Sequence, residues 1–215
     1  MPYERIIFAV IRNTIAFSLI VLLCSPRLSA EALFDAHLHY NEAHAARYGP
    51  QQIIQKLTDN DVLCAVVTST PAHLATRLYQ QAPDRIVPLL SVHRNPEDKI
   101  RWVRDARVVE RIEAELKKGV WHGIGELHLF AEDRHSAVFR SLIDIAVRYD
   151  LPLVLHADPA VIDTLYEIAP NHPSIWAHAG TFPYPDLIAD YLRRYPALHI
   201  DVSVRDDRIA TNGEI

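Results

Sequence analysis

Seven short apolar runs recur along this chain, separated by longer amphipathic segments, and that alternation restricts it to one class of fold. The runs are LFDAH (33–37), VLCAVVT (62–68), IVPLLSV (86–92), VWHGIGE (120–126), LPLVLHA (151–157), SIWAHA (174–179) and LHIDVS (198–203). Strands that are apolar on both faces and separated by helices belong to a parallel sheet covered on both sides. Apolar spacing predicts one helix over 96–118, with Ile112 and Leu116 inward and Gly119 as its stop. A second carries Leu187, Ile188, Tyr191, Leu192 and Tyr195. No Gly- or Ser-rich linker interrupts the alternation, so residues 31–215 read as one domain.

Such units can form a doubly wound sheet or a (β/α)8 barrel, and the polar residues decide between them. A doubly wound sheet calls for a glycine-rich phosphate turn after its first strand. Here that position reads HLHYNEAH. Functional residues instead stand at the C-terminal ends of several strands, where barrel enzymes place their chemistry. Asp35, His37 and His39 are spaced by two and share one face of the first strand. Two imidazoles about 6.6 Å apart along a strand can lean toward one ion at its end. Glu126 ends the fourth strand in GIGELH, His156 ends the fifth and His178 the sixth. A packed core has no use for such a pattern, so His37, His39, Glu126, His156 and His178 are expected to share a divalent metal, one or two ions, with zinc favoured.

The first thirty residues differ from the rest. Arg5 and Arg12 precede an uncharged run, TIAFSLIVLLC (14–24), which Ser25-Pro26 breaks before Ala30. A basic start, a short apolar core and a small residue are the marks of a cleaved signal peptide over 1–30, with the product exported to a periplasm or secreted. The chain carries a net charge of −5. Loss of Arg5, Arg12, Arg27 and Glu4 with the leader makes it −7. That balance disfavours nucleic acid and membrane surfaces as partners and leaves a small-molecule substrate. With Cys24 gone, Cys64 is a lone thiol in an apolar run.

The motifs FDAHLH, GIGELHL, LVLHAD and IWAHAG, in that order, resemble the amidohydrolase superfamily of TIM-barrel metal-dependent hydrolases. The likeness is to its amidohydrolase-related branch, with a secondary likeness to TatD-type hydrolases, and it spans about residues 33–203. It implies that His37 and His39 hold a first metal position and that Glu126 is a ligand or bridge. His156 and His178 would serve a second metal or the substrate, with Glu126 and His178 nearest the reacting bond. The implied reaction is hydrolysis of an amide, ester or lactone bond of a small molecule by metal-activated water. A decarboxylase of the same superfamily is the alternative.

One departure stands out. The family supplies an essential Asp from its eighth strand, and only VRDDRIATNGEI follows Ser203 here. The expected architecture is therefore an incomplete barrel of about seven units. It raises the further alternative of an inactive metal-binding remnant, and its exposed strand edges would favour self-association. Asp201, Asp206 and Asp207 are not assigned the missing role. Arg94, His128 and Asp158 are expected to contact substrate, and Asp35 to orient a ligand histidine from behind.

Overall fold

The alternation of apolar runs is realised as seven parallel strands in the computed structural model, which describes residues 33–204. The strands are β1 (Leu33–His39), β2 (Val62–Thr68), β3 (Ile86–Pro88), β4 (Ile124–Leu129), β5 (Leu153–Ala157), β6 (Ser174–Trp176) and β7 (Leu198–Ile200). The leader expected over 1–30, together with Asp206 and Asp207, lies outside the described residues. Strand order is β1-β2-β3 in one sheet and β4-β5-β6-β7 in the other, every pair parallel. A bridge between Leu90 and Ile124 links the two. Leu90 N–H donates to the Gly123 carbonyl at 2.9 Å, and Gly125 N–H donates to the Leu90 carbonyl at 3.1 Å. Sequential order with parallel pairing is the topology of a TIM-type barrel.

Among the described residues seven α-helices connect and cover the strands: α1 (Glu42–Ala45), α2 (Pro50–Asp59), α3 (His73–Gln81), α4 (Arg107–Leu116), α5 (Ala137–Tyr149), α6 (Pro159–Ile168) and α7 (Pro185–Arg194). Pro50, Pro159 and Pro185 each open a helix, where a missing N–H costs nothing. In α4 the buried residues are Val108, Ile112 and Leu116, a stripe repeating every four residues. The apolar core gathers Phe139, Leu142, Leu127, Leu155, Trp102 and Trp176, all essentially inaccessible.

Several elements are shorter than their apolar runs, for local reasons. The run of β3 changes partner after Pro88: Leu89 N–H still donates to the Val67 carbonyl at 2.9 Å, and Leu90 then pairs with Ile124. After Trp176, β6 gives way to a single 3-10 turn in which His178 adopts φ 58° and ψ 25°. The helix expected over 96–118 divides into two 3-10 turns, Pro96–Ile100 and Trp102–Arg104, before α4 begins. Asn95 caps the first turn through the Asp98 N–H, and the extended backbone of Asp105 ends the second.

Candidate metal centre

Two of the strands that carry the polar residues each contain one extra residue. Along β1, Asp35 pairs with Ala65 and Leu38 with Val67, so three steps on β1 match two on β2. Along β4, Ile124 pairs with Leu153 and Leu127 with Leu155, again three steps against two. Such irregularities interrupt the ladder and re-aim the side chains within them. His37 lies in the first and Glu126 in the second. Gly125 is required at the second because β5 passes so close: a Cβ there would stand 2.7 Å from the Val154 carbonyl oxygen. Past the irregularity, His128 and His156 are register partners on β4 and β5 and their rings stack at 4.5 Å.

The result is one buried carboxylate ringed by imidazoles. Glu126 is 3% exposed. Its Oε1 lies 3.0 Å from His156 Nδ1 and 3.2 Å from His178 Nε2. Its Oε2 lies 3.2 Å from His128 Nε2, 3.3 Å from His39 Nε2 and 3.6 Å from His37 Nε2. The Nε2 atoms of His37 and His39 are themselves 3.1 Å apart. The side chains of His39 and His156 are each 36% exposed, against 3% for His37, so the cluster opens to solvent on their side.

Behind the ring sits a second layer that fixes which nitrogen faces inward. His37 Nδ1 donates to Asp201 Oδ2 at 2.9 Å, leaving its Nε2 for the centre. His178 Nδ1 lies 3.1 Å from the Ser203 carbonyl, which can only accept, so its Nε2 likewise turns inward. Asp201 Oδ1 also accepts from the His178 backbone N–H at 3.1 Å. A carboxylate or carbonyl behind a histidine is the usual support of a metal-binding imidazole. The left-handed backbone of His178, costly for a residue with a Cβ, is continued by Ala179 and then by Gly180 at φ 79°. At Gly180 a Cβ would meet the Trp176 indole at 2.3 Å. Trp176 Nε1 in turn donates to the Ala157 carbonyl at 2.8 Å, and Trp102 Nε1 to that of His128 at 2.9 Å. Two buried indoles thus pin the strand ends next to His156 and at His128.

These residues fit a divalent ion. Two ligands each ~2.1 Å from a shared tetrahedral ion stand about 3.4 Å apart, and the donor atoms here are separated by 3.0–3.6 Å. A carboxylate offers about four lone-pair sites, too few for five N–H donors. Neutral imidazoles presenting lone pairs to a cation resolve that mismatch. Among the described residues two groupings face the centre, His37, His39 and Glu126, and Glu126, His128 and His156, while His37, His178 and Asp201 gather on the outer side, where Asp201 accepts from His37 Nδ1. The electrostatics agree. Burial opposes charge on His37, but hydrogen bonds to Asp201 and Glu126 outweigh it and raise its pKa to about 9, so the surroundings favour a cation. Burial would raise Glu126, yet its histidine partners, His128 first, hold it far below the ordinary carboxylate range. Asp201 is likewise held down to about 2, the His37 bond outweighing burial. His93, buried with its ring 5.4 Å from His128, is pushed down to about 3 by burial and then by His128 and Lys99, so it stays neutral.

Not every expected site residue joins the cluster. Arg94 is turned onto Asp98, with Nε at 2.8 Å from Oδ2 and a terminal nitrogen at 3.1 Å from Oδ1. Asp158 accepts from the Ala131 N–H at 2.9 Å, tying the end of β5 to the turn after β4. Asp35 accepts from the His37 backbone N–H at 3.0 Å and so steadies main chain, not a ring. His128, expected only to contact substrate, lies within the ring about Glu126. Asp201, which the sequence does not assign a role, reaches His37 from just beyond the end of β7. Its signal was the alternation His199, Asp201, Ser203 at the end of that strand. Thr68, also overlooked, is the polar last residue of an otherwise apolar run.

A model of the TatD related DNase family matches residues 34–183, which takes in every residue of the ring around Glu126 and stops short of Asp201. Comparison with curated proteins finds no match. The family match corrects the expectation of a small-molecule substrate with no nucleic acid, because TatD domains act on nucleic acids. The physical reason is that net charge measures the average field of a chain. It does not measure the local field of a mouth that collects metal cations. With the match covering most of its length, this chain belongs to the TatD family of TIM-barrel, metal-dependent hydrolases.

Proposed function

We propose that this chain hydrolyses phosphodiester bonds of DNA at the end of the barrel where Glu126 stands. The observation that carries the reading is the convergence of five imidazole nitrogens within 3.0–3.6 Å of one buried carboxylate. Metal ions held there would lower the pKa of bound water toward roughly 7 and draw charge off the phosphoryl oxygens. The imidazole-rich donor set favours zinc among the common divalent ions. In this reading His37, His39, His128, His156 and His178 hold the ions and Glu126 joins the groupings. Asp201 keeps the His37 Nδ1 proton on the outer side of the ring. A phosphodiester replaces the amide, ester or lactone bond as the substrate group, since the family acts on DNA. An end-labelled oligonucleotide incubated with the purified protein and Zn²⁺, Mn²⁺ or Mg²⁺ tests this. Shortened products that vanish with chelator are expected. Intact DNA with all three metals, from protein shown to bind metal, would refute it.

A further inference from the structure

The residue that sets Glu126 in place stands on neither strand that neighbours it. The extra residue in β4 removes the Gly125–Glu126 peptide from the ladder with β5, and a buried peptide group must find a partner elsewhere. The hydroxyl of Thr68, at the end of β2 and 4% exposed, fills both vacancies. Its Oγ1 donates to the Gly125 carbonyl at 2.9 Å and accepts from the Glu126 N–H at 3.1 Å. The same residue faces the other way through its main chain. Thr68 is the register partner of His39, and its carbonyl accepts from the Tyr40 N–H at 3.1 Å, directly after the two histidines of β1.

We infer that Thr68 is a positioning residue for the metal centre, its hydroxyl holding the Glu126 backbone while its carbonyl holds the strand of His37 and His39. β2 carries none of the residues about Glu126, yet through Thr68 it sets the separation between the two strands that bring those histidines and the carboxylate together. Removing the hydroxyl frees the Gly125–Glu126 peptide to rotate, and the carboxylate then no longer points at the imidazoles. Valine keeps the shape of threonine and loses the hydroxyl, whereas serine keeps the hydroxyl and loses a methyl group. A merely space-filling role would therefore be better preserved by Thr68→Val, and a positioning role by Thr68→Ser.

The inference rests on the metal centre proposed above, so its test reads metal binding without DNA. Wild type, Thr68→Val and Thr68→Ser are titrated with Zn²⁺ against a chromophoric chelator. Thr68→Val is expected to bind about 10–100-fold more weakly, the usual effect of losing a group that orients a ligand. Thr68→Ser is expected to stay within about threefold of wild type by the same comparison. Wild-type affinity in Thr68→Val overturns the role of Thr68 alone, and absence of Zn²⁺ binding in wild type overturns the metal centre with it. Should Thr68→Val not fold, Thr68→Cys, whose thiol is a weaker donor and acceptor, is titrated instead. Intermediate affinity supports the inference, and wild-type affinity overturns it.

Discussion

Glu126 and Asp201 are both buried acids within the site, but they meet the histidines from opposite sides. Glu126 sits among the nitrogens that face inward, while Asp201 accepts from the outward Nδ1 of His37. Replacing each by its amide should separate those positions. Glu126→Gln removes the charge at the point where residues of β1, β4, β5 and the turn after β6 converge and is expected to weaken Zn²⁺ binding by more than about 100-fold. Asp201→Asn leaves the inner donor set intact and is expected to cost about 10–100-fold. Calorimetric titration of both variants checks the ranking, and equal losses would contradict the division between inner and outer carboxylates. His37, His39, Glu126, His156 and His178 were legible in the sequence because each stands at or just beyond the end of an apolar run, and such run ends in one barrel share a mouth, although β4 itself continues past Glu126 to Leu129 and β6 stops before His178. Asp201 was not, because its contact with His37 spans 164 residues and no local spacing announces it. His128 was placed with the substrate contacts for a related reason. The irregularity at Gly125 decides which way the side chains beyond it face, and a run of apolar letters does not display one.

Strands proved easier to read than their limits. All seven runs carry a strand, but the change of partner after Pro88, the left-handed turn at His178 and the extended backbone at Asp105 leave elements shorter than their composition suggests. The outer helices also carry interactions that apolar periodicity does not announce. Asp163 on α6 accepts from the Tyr191 hydroxyl of α7 at 2.7 Å and the Tyr195 hydroxyl at 2.7 Å, and it pairs with Arg194. The tyrosines were legible only as members of an apolar stripe. Burial would raise the Asp163 pKa, but the bonds from Tyr195, Tyr191 and Arg194 outweigh it and hold it below the ordinary carboxylate value. A carboxylate with a depressed folded-state pKa contributes stability that is present above its unfolded value, about 4. That contribution is lost as the pH falls through the lower folded value. Asp163→Asn should therefore lower the melting temperature at pH 6–7 and leave the variant and wild type converging toward pH 3. Melting curves across that range check the sign. A difference that widens on acidification would show that Asp163 does not tether α7 as an anion.

For the whole molecule the informative quantity is where charge collects, not how much there is. The chain is net acidic, at −5 overall and −7 without the expected leader, and that average speaks against DNA as a partner. Yet the buried mouth groups five histidines around Glu126, a composition that draws divalent cations out of solution. A protein that holds DNA through a broad basic surface neutralises many phosphates, and its affinity falls steeply with salt, with a slope of about −0.9 per phosphate on a duplex. On the function proposed above the attraction would come from a mouth loaded with metal, so few phosphates would be engaged at once. DNA retention should accordingly require metal, disappear on chelation at any ionic strength, and show a shallow salt dependence, with a slope of about −2. Fluorescence anisotropy of a labelled oligonucleotide, read with Zn²⁺ and with chelator at 50 and 200 mM salt, checks each part. To keep the strand intact the measurement uses a phosphorothioate backbone. Binding that persists in chelator, or a slope as steep as that of a basic groove, would move the site of DNA contact away from Glu126 and onto the outer surface.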